Sequence, residues 1–320
     1  MGPYGGDVAD WRGACAAAPS SALSASSARR FFETWFTPVS VEGEGVFTGY
    51  YEPELKVSRS RHGAYQTPIY GLPDDLVSVD LGQFKPDLAG ERIEGQLMGH
   101  HLLPYPTRAD IDAHGVPAQT LFYAADPIAV FFLHVQGSGR ARLEDGQTAR
   151  IAYAGQNGRP YTPVGRTLIA EGALARDEVS LQSIRDWLIH HPERMREVLE
   201  TDQSFVFFQE KPVGDPALGS DGSEGVALTP GASLAVDAHL HPLGAPFYVA
   251  TSTADTEAGM MVPVLARLLV AQDTGGAIRG PVRGDVFWGL GPQAETMAGK
   301  MTARGRFYVF LPKPVAERLP

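Results

Sequence analysis

Short apolar runs separated by glycines fill the last third of the chain, and this spacing is the strongest constraint on its fold. The runs are rich in β-branched and aromatic residues, and they occupy residues 234–237, 247–251, 267–273, 285–288 and 306–311. Strands this short are marginal as isolated hairpins, whereas a small closed barrel pairs every strand on both sides. We therefore expect a mainly β fold with some helices, built around such a barrel.

Helical periodicity is confined to a few segments. Residues 26–36 and 293–301 predict short helices, and apolar side chains recur at helical spacing in residues 180–200, which predicts one long helix. The continuous apolar run at residues 128–135 predicts a strand that is buried on both faces. We expect the long helix to pack on this strand.

Two changes in composition divide the chain. Residues 103–107 are rich in proline, which favours extended connections, and residues 214–225 form a polar stretch of glycine, serine and aspartate. A chain of 320 residues with 43% hydrophobic residues is long enough for two folded domains. The sequence therefore predicts domain boundaries near Pro104 and Lys211.

Charge and cysteine content exclude several classes of function. The net charge is −10 and no Lys/Arg-rich stripe occurs, so nucleic acid is not an expected partner. Cys15 is the single cysteine, which excludes an intrachain disulfide and a thiolate metal cluster. No apolar segment reaches the ~18–20 residues of a membrane span, and the N-terminus lacks signal-peptide features. We expect a soluble chain as given, with any export signal outside this sequence.

Three aspartates, Asp237, Asp273 and Asp285, lie at the starts or ends of predicted strands. A turn cap is the commoner role of a single aspartate in such a place. Burial beside apolar backbone would instead raise the pKa of the carboxyl, because burial disfavours the charged form. Asp285 has the strongest case for chemistry, since the Val-Phe-Trp that follows it would keep the carboxyl protonated, as a general acid requires.

Other chemistries have weaker support. Asp273 begins an Asp-Thr-Gly sequence, the signature of aspartic peptidases, but the second copy that such a site needs is missing. His239 and His241 share one face of a predicted strand, yet no third zinc ligand lies nearby. Ser138 stands between two glycines without the spacing of a nucleophile elbow, which leaves a tight turn or a ligand-binding turn.

Aromatic side chains next to amide and hydroxyl groups are typical of sugar-binding sites. Residues 50–53, 65–68 and 153–158 have this composition. Tyrosines beside glycine and proline also pack in ordinary turns, so composition alone does not choose between the two roles.

Taken together, eight segments resemble the membrane-bound lytic transglycosylase A family, which has a C-terminal three-aspartate domain. Each segment is weak alone, but they follow the family's order over nearly the entire chain. They are residues 47–53 (Phe-Thr-Gly-Tyr-Tyr-Glu-Pro), 65–70 (Tyr-Gln-Thr-Pro-Ile-Tyr), 134–139 (His-Val-Gln-Gly-Ser-Gly), 153–158 (Tyr-Ala-Gly-Gln-Asn-Gly), 204–208 (Ser-Phe-Val-Phe-Phe), 234–237 (Leu-Ala-Val-Asp), 271–278 (Ala-Gln-Asp-Thr-Gly-Gly-Ala-Ile) and 284–292 (Gly-Asp-Val-Phe-Trp-Gly-Leu-Gly-Pro).

The resemblance implies a fold of two domains. Residues 1–104 and 212–320 would form a discontinuous double-psi β-barrel domain. Residues 105–211 would form a second, smaller β-barrel-like inserted domain that contains the long helix. The substrate would bind in a groove between the domains.

The resemblance also implies a lytic transglycosylase that cleaves the β-1,4 bond between N-acetylmuramic acid and N-acetylglucosamine in peptidoglycan and forms 1,6-anhydromuramoyl ends. Asp285 would be the single acid and base, with Asp273 in support, and no cofactor or metal is expected. The expected substrate-binding residues are Tyr51, Gln66, Gln136, Ser138, Gly139 and Tyr153.

The same resemblance implies a periplasmic location, with outer-membrane association in the native form. A wall-binding or wall-loosening module without catalysis is the alternative, and an aspartic peptidase is a further one.

Overall fold

The structure is a computed structural model that describes residues 4–21, 24–254 and 261–319. Besides two short 3-10 turns, the helices in these residues are α1 (Val8–Ser21), α2 (Ala25–Trp35), α3 (Arg108–His114), α4 (Pro127–Gln136), α5 (Val164–Ala170), α6 (Leu181–His190), α7 (Pro192–Leu199), α8 (Gly291–Lys300) and α9 (Lys313–Ala316). In the part of the chain described, no helix combines the length and the apolar composition needed to cross a membrane.

Strands make up most of the remaining regular structure. They are β1 (Phe36–Ser40), β2 (Gly45–Glu52), β3 (Glu54–Ser58), β4 (Thr67–Tyr70), β5 (Val77–Asp80), β6 (Arg92–Met98), β7 (His101–Pro104), β8 (Thr120–Ala124), β9 (Gly139–Leu143), β10 (Thr148–Gln156), β11 (Val206–Lys211), β12 (Ser233–Ala235), β13 (Pro246–Ala254), β14 (Met261–Asp273), β15 (Arg283–Leu290) and β16 (Thr302–Pro312).

The chain folds into two compact units. The first unit contains Met1–Tyr50, Ala217–Gly289 and Met301–Pro320, and the second contains Tyr51–Pro216 and Leu290–Lys300. The first boundary lies earlier than the predicted Pro104, because β3, which follows β2 directly, pairs with β8 and β9 of the second unit. The predicted boundary at Lys211 lies close to the observed one. The helix predicted at residues 293–301 is α8, which belongs to the second unit and contacts α6 there.

The first unit is built on a closed barrel of six strands. Around the barrel the strands follow the order β2, β16, β13, β14, β12 and β15, and β2 closes the ring because it pairs with both β15 and β16. β12 runs parallel to β14 and antiparallel to β15, while β1 extends the sheet beside β16. Each of the five apolar runs predicted from the sequence overlaps one of these strands. The predicted mainly β, barrel-based fold is confirmed.

Large apolar side chains fill the barrel core. Phe47, Phe247 and Phe307 are fully shielded from solvent, and the ring centroid of Phe307 lies 5.6 Å from Phe47 and 5.0 Å from Phe247. Leu234 and Val286 belong to the same buried cluster. Because successive side chains of a strand point to opposite faces, the chain neighbours of these residues are directed out of the core.

The second unit contains a curved sheet of its own. Its six strands follow the order β11, β10, β9, β3, β8 and β4, and a bridge between Gly71 and Phe208 joins the two edges into a barrel-like form. Helices α4 to α7 pack through a separate cluster that includes Leu168 and Leu188. Strands β5, β6 and β7 form a small antiparallel sheet.

Residues 128–135 form most of helix α4, so the predicted buried strand is wrong. Asp126 caps this helix, since its Oδ1 accepts hydrogen bonds of 2.9 and 3.1 Å from two backbone N–H groups of the first turn. Pro127 occupies the first helical position, and Gly137 ends the helix in the left-handed conformation, at φ 80°. The helix is buried on most of its sides, which removes the periodicity that would identify it in the sequence.

The predicted long helix at residues 180–200 is also wrong, because two helices, α6 and α7, meet at His191. Pro192 disfavours a helical conformation of the residue before it, and His191 has φ −127° and ψ 61°. Each helix keeps its own buried apolar face, with Leu188 in α6 and Val198 in α7.

The barrel core predicts the effect of one truncation on stability. Phe307→Ala should lower the free energy of unfolding of the first unit by about 3–5 kcal/mol, because it removes a buried ring and leaves a cavity. The same change at Phe84, whose side chain is 74% exposed, should cost less than about 0.5 kcal/mol. Urea unfolding measures the free energy of unfolding of both variants. Equal losses of stability in Phe307→Ala and Phe84→Ala would contradict the assignment of Phe307 to the core.

Candidate active site

Two neighbouring strands of the barrel, β2 and β15, present a group of polar side chains. Thr48 and Tyr50 are two residues apart on β2, and Arg283 and Asp285 are two residues apart on β15. Residues at this spacing share one face of a strand, and the opposite faces of both strands carry side chains of the barrel core. The polar group therefore lies on the outer face of the barrel wall.

A chain of hydrogen bonds joins three of these side chains. Oδ1 of Asp285 accepts a bond of 2.6 Å from the hydroxyl of Thr48, and that hydroxyl accepts a bond of 2.8 Å from Nη2 of Arg283. Nη1 of Arg283 donates to the backbone carbonyl oxygens of Val46 and Gly284 at 3.2 and 2.6 Å. The guanidinium is therefore held on both sides, and Thr48 lies between it and the carboxyl.

An apolar ring also lies on the face of β15 that carries the Asp285 carboxyl. Of the three apolar residues that follow it, only Phe287 shares its face, and the Phe287 ring lies 5.2 Å from the ring of Tyr50. Val286 and Trp288 project toward the barrel core instead, which corrects the expectation that all three enclose the carboxyl. Phe287 and Tyr50 are almost completely buried.

Burial raises the pKa of Asp285 to about 6, because a carboxylate removed from water is less stable than the neutral acid. The hydrogen bond from Thr48 and the positive charge of Arg283 act in the opposite direction, and the charge of Asp273 adds to the increase. The group therefore exchanges a proton close to neutral pH, which is the requirement for a general acid or base.

The carboxyl of Asp273, at the end of β14, is bound through both oxygens. Its Oδ2 accepts a hydrogen bond of 2.8 Å from the hydroxyl of Tyr50, and its Oδ1 accepts bonds of 3.0 and 3.1 Å from the backbone N–H and hydroxyl of Ser223. Burial raises the pKa of Asp273, and these hydrogen bonds oppose the rise. Within the described residues no second aspartate hydrogen-bonds to Asp273, so the proton-sharing pair of an aspartic peptidase is not formed.

The third aspartate, Asp237, has the contacts of a loop cap. Its carboxyl accepts hydrogen bonds from the backbone N–H groups of Gly280 and His239 at 2.9 and 3.2 Å, and Nη1 of Arg279 lies 3.4 Å away. Burial alone would raise the pKa of Asp237, but these donors together hold it below its usual value. The carboxylate stays ionised and stabilises the loop that leads into β15.

His239 and His241 lie in a turn after β12, so the strand predicted for them is wrong, and His239 is exposed. His241 is buried; its Nε2 lies 2.7 Å from the carbonyl oxygen of Pro281, and its Nδ1 is hydrogen-bonded to the hydroxyl of Tyr4. In residues 4–21, 24–254 and 261–319, no group of three histidine, cysteine, aspartate or glutamate side chains is arranged to hold a metal.

The predicted substrate-binding residues all belong to the second unit, and two of them meet there. The backbone N–H of Tyr51 donates to Oε1 of Gln136 at 2.9 Å. Tyr51 is buried, and burial together with the charge of Glu295 raises the pKa of its hydroxyl. Gln136 therefore orients the chain at the start of the second unit.

Gly137 and Ser138 connect α4 to β9, which begins at Gly139. A side chain at position 139 would lie 2.5 Å from Leu133 Cδ1 and 2.9 Å from the carbonyl oxygen of Pro53, so close packing requires glycine there. Ser138 is partly buried between this residue and the left-handed Gly137.

Gln66 and Tyr153 lie apart from that turn. The Gln66 amide bonds within its own loop, accepting from Arg61 and donating to the carbonyl oxygen of Gly63, each at 2.9 Å. Tyr153, on β10, is 49% exposed, so part of its surface is available to a ligand.

Four residues surround the carboxyls of Asp273 and Asp285. Tyr50 was predicted only as part of the possible sugar-binding segment 50–53, and Thr48, Arg283 and Ser223 were not singled out from the sequence. Thr48, Tyr50 and Arg283 could have been found from strand alternation, because each is two residues from another member of the group on the same strand. Ser223 lies in the polar stretch of residues 214–225, and no pattern in that stretch distinguishes it.

The opposite pKa shifts predict opposite effects of aspartate substitution on stability. The pKa of Asp285 is raised in the folded state, so its ionisation opposes folding as the pH rises from about 4 to about 6, and Asp285→Asn should stabilise the protein at pH 7 by about 1–2 kcal/mol. The pKa of Asp237 is lowered, so its charge supports folding above pH 4, and Asp237→Asn should destabilise the protein at pH 7. Unfolding at pH 7 and pH 4 measures both, and shifts of the same sign at pH 7 would refute the assignment.

Two family models match the chain. The MltA specific insert domain matches residues 46–209, and the 3D domain matches residues 232–311. The first range includes five strands of the second unit's six-stranded sheet and ends within the sixth, β11. The second range includes Asp237, Asp273 and Asp285.

Two known proteins with related sequences have the same name. Membrane-bound lytic murein transglycosylase A from Vibrio cholerae is 32% identical over 271 residues, and the protein of that name from Escherichia coli K12 is 32% identical over 277. These matches cover 83% and 86% of this chain but 65% and 67% of the relatives, so the chain spans about two thirds of their length.

Two solved structures of proteins with this kind of name resemble the chain in fold. A membrane-bound lytic murein transglycosylase from Agrobacterium tumefaciens has a TM-score of 0.85 and 34% identity, covering 99% of this chain and 88% of that one. Escherichia coli MltA with bound chitohexaose has a TM-score of 0.74 and 27% identity, covering 95% and 84%. The chain belongs to the membrane-bound lytic murein transglycosylase A family.

Proposed function

We propose that this chain is a lytic transglycosylase that cleaves the β-1,4 bond between N-acetylmuramic acid and N-acetylglucosamine in peptidoglycan. The observation that carries the proposal is the Asp285 carboxyl, whose pKa of about 6 lets it hold a proton near neutral pH and release it to a leaving group. Family membership supports the reaction class.

In the first step, protonated Asp285 donates its proton to the glycosidic oxygen as the bond from that oxygen to C1 of the muramoyl sugar breaks. Positive charge develops on the sugar ring, as in other glycoside cleavages. The carboxylate left on Asp285 faces this charge, and the low polarity around Phe287 strengthens their attraction.

In the second step, the C6 hydroxyl of the same sugar attacks C1 and gives its proton to the Asp285 carboxylate. The product is a 1,6-anhydromuramoyl end, the carboxyl regains its proton, and no water is consumed. Ordinary glycosidases need a second carboxyl as nucleophile or base. The nearby Asp273 is hydrogen-bonded through both oxygens to Tyr50 and Ser223, which supports a mechanism that uses Asp285 alone.

Glycan binding is supported by a relative and by the second unit. The Escherichia coli relative was crystallised with chitohexaose, an oligosaccharide with the same β-1,4 linkage. We assign substrate binding to Tyr51, Gln66, Gln136, Ser138, Gly139 and Tyr153. Among them, Tyr153 offers the most exposed ring, and a sugar ring binds such an aromatic face through its apolar C–H groups.

We propose that the protein acts at the cell wall, in the periplasm and in association with the outer membrane. The relatives' name supports this proposal in that it describes them as membrane-bound and as acting on murein. Fractionation of cells that produce the full-length protein tests this, and recovery in the cytoplasm would contradict it.

The Asp285→Asn variant should release no 1,6-anhydro products from purified peptidoglycan sacculi, because an amide neither donates the required proton nor accepts it back. Asp177→Asn is the matched control, since Asp177 is exposed on the second unit, and it should retain full activity. Mass spectrometry of the released fragments distinguishes the outcomes. Products lighter than hydrolysis products by one water support the proposal. Reducing muramoyl ends from the wild type would indicate a hydrolase, and binding without products would indicate a wall-binding module.

The Tyr153→Ala variant should raise KM for soluble glycan strands by about tenfold with little change in kcat, because the ring contributes to ground and transition states alike. Tyr161→Ala is the control, since Tyr161 is another surface tyrosine of the second unit, 38% exposed, and its KM should stay unchanged. Steady-state kinetics measure both, and an unchanged KM for Tyr153→Ala would exclude Tyr153 from the binding site.

A further inference from the structure

The hydroxyl of Thr48 has only one way to arrange its hydrogen bonds. Nη2 of Arg283 donates to the hydroxyl oxygen at 2.8 Å, and a guanidinium has no lone pair with which to accept a bond in return. Oδ1 of Asp285 lies 2.6 Å from the same oxygen. Among the residues that the structure describes, the Thr48 hydroxyl contacts no other acceptor, so its hydrogen is directed at Oδ1.

Arg283 is held in the position that this arrangement requires. Its Nη1 donates to the carbonyl oxygens of Val46 and Gly284, so Nη2 is presented to Thr48 by a guanidinium fixed at its other end. Arg283 and Thr48 lie on neighbouring strands, β15 and β2, whose pairing sets their separation. The rotation of the Thr48 hydroxyl is therefore determined by the barrel wall.

The two oxygens of Asp285 differ as a result. Oδ1 already accepts a hydrogen bond, and a proton placed there would face the hydrogen of Thr48. Oδ2 accepts no hydrogen bond from the described part of the chain. It is also not completely buried. Oδ2 is therefore the oxygen that reaches solvent or a bound molecule.

We propose that Arg283 and Thr48 are positioning residues that keep the exchangeable proton of Asp285 on Oδ2. This inference rests on the proposed function for its role in catalysis. In the first step the proton leaves Oδ2 for the glycosidic oxygen, and in the second the proton of the C6 hydroxyl returns to Oδ2. Thr48 keeps its own proton throughout, and its bond to Oδ1 strengthens while the carboxyl is ionised.

A simpler role for each residue makes a different prediction. If Arg283 acted only through its charge, its removal would change the titration of Asp285 by the same amount with or without the Thr48 hydroxyl. If Thr48 only packed in the strand, valine, which has the same shape, would replace it without consequence. A double-mutant cycle separates these cases, because residues that act through one another are not additive.

The experiment compares the wild type with Thr48→Val, Thr48→Ser, Arg283→Met and the double variant Thr48→Val/Arg283→Met. Arg306→Met is the matched control, since Arg306 is an exposed arginine on β16 of the same barrel. The Asp285 carboxyl is followed by NMR with ¹³C-labelled aspartate and is assigned by its absence in Asp285→Asn. The pH dependence of kcat on soluble glycan strands is measured in parallel.

In Thr48→Val the pKa of Asp285 should rise above that of the wild type, since the carboxylate loses a donor. The alkaline limb of the kcat profile should move upward with it, because the active form is the protonated acid. The maximal kcat should fall by roughly ten- to a hundredfold, because the proton is no longer held on the reacting oxygen. Thr48→Ser keeps the hydroxyl, so the pKa of Asp285 and the maximal kcat should both stay close to the wild-type values. Arg306→Met should change neither the pKa nor kcat.

Arg283→Met should raise the pKa of Asp285 in the presence of Thr48, and the rise should be smaller in the double variant, where only the direct effect of the lost charge remains. Equal effects of Arg283→Met in both backgrounds, or an unaltered titration and kcat in Thr48→Val, would overturn the proposal. The Thr48 variants test it by themselves if Arg283→Met fails to fold. Failure of the proposed function would be a separate result. If the wild type releases no anhydro products, the NMR titrations still show whether Thr48 and Arg283 together control the pKa of Asp285.

Discussion

Closure of the six-stranded barrel is the constraint on which the site depends. Strand β2 comes from the N-terminal part of the chain and β15 from the C-terminal part, and they become neighbours only because β2 completes the ring. This pairing places Thr48 beside Asp285, 237 residues away in sequence. The same ring buries Phe47 and Val286 on its inner side, so the apolar core and the polar group are opposite faces of one pair of strands.

The aspartates of the first unit show how local contacts divide the roles of similar side chains. Asp237 meets backbone N–H donors and a guanidinium, which stabilise the charged form and hold a loop in place. Asp285 has a single side-chain donor and a buried aromatic neighbour, so desolvation dominates and its pKa rises to about 6. A group held in this way costs stability when it ionises, and such a cost is typical of a site selected for reactivity rather than for folding.

Much of the first unit could be predicted from the sequence, because its strands follow glycines and prolines that punctuate the chain. Two wrong predictions of secondary structure fall in the second unit. Helix α4 was missed because it is apolar on nearly all sides and so shows no helical periodicity. Helices α6 and α7 were predicted as one helix because the apolar pattern continues across Pro192, where the helix is interrupted. Asp285 stood out by its apolar neighbours in sequence. Thr48 and Arg283 did not, because their importance arises from the pairing of distant strands.

Among the described residues of the site, only Asp285 has a carboxyl oxygen without a hydrogen bond from the protein, and this limits what chemistry the site supports. Hydrolysis with one carboxyl would need a positioned water as well as an acid, and the neighbouring Asp273 is already bound to Tyr50 and Ser223. An intramolecular hydroxyl needs no such positioning, since the substrate carries it, and its attack returns the proton to the group that gave it. The proposed cycle therefore ends with Asp285 in its starting protonation state, and a pKa near 6 lets the same oxygen act as acid and then as base without waiting for solvent.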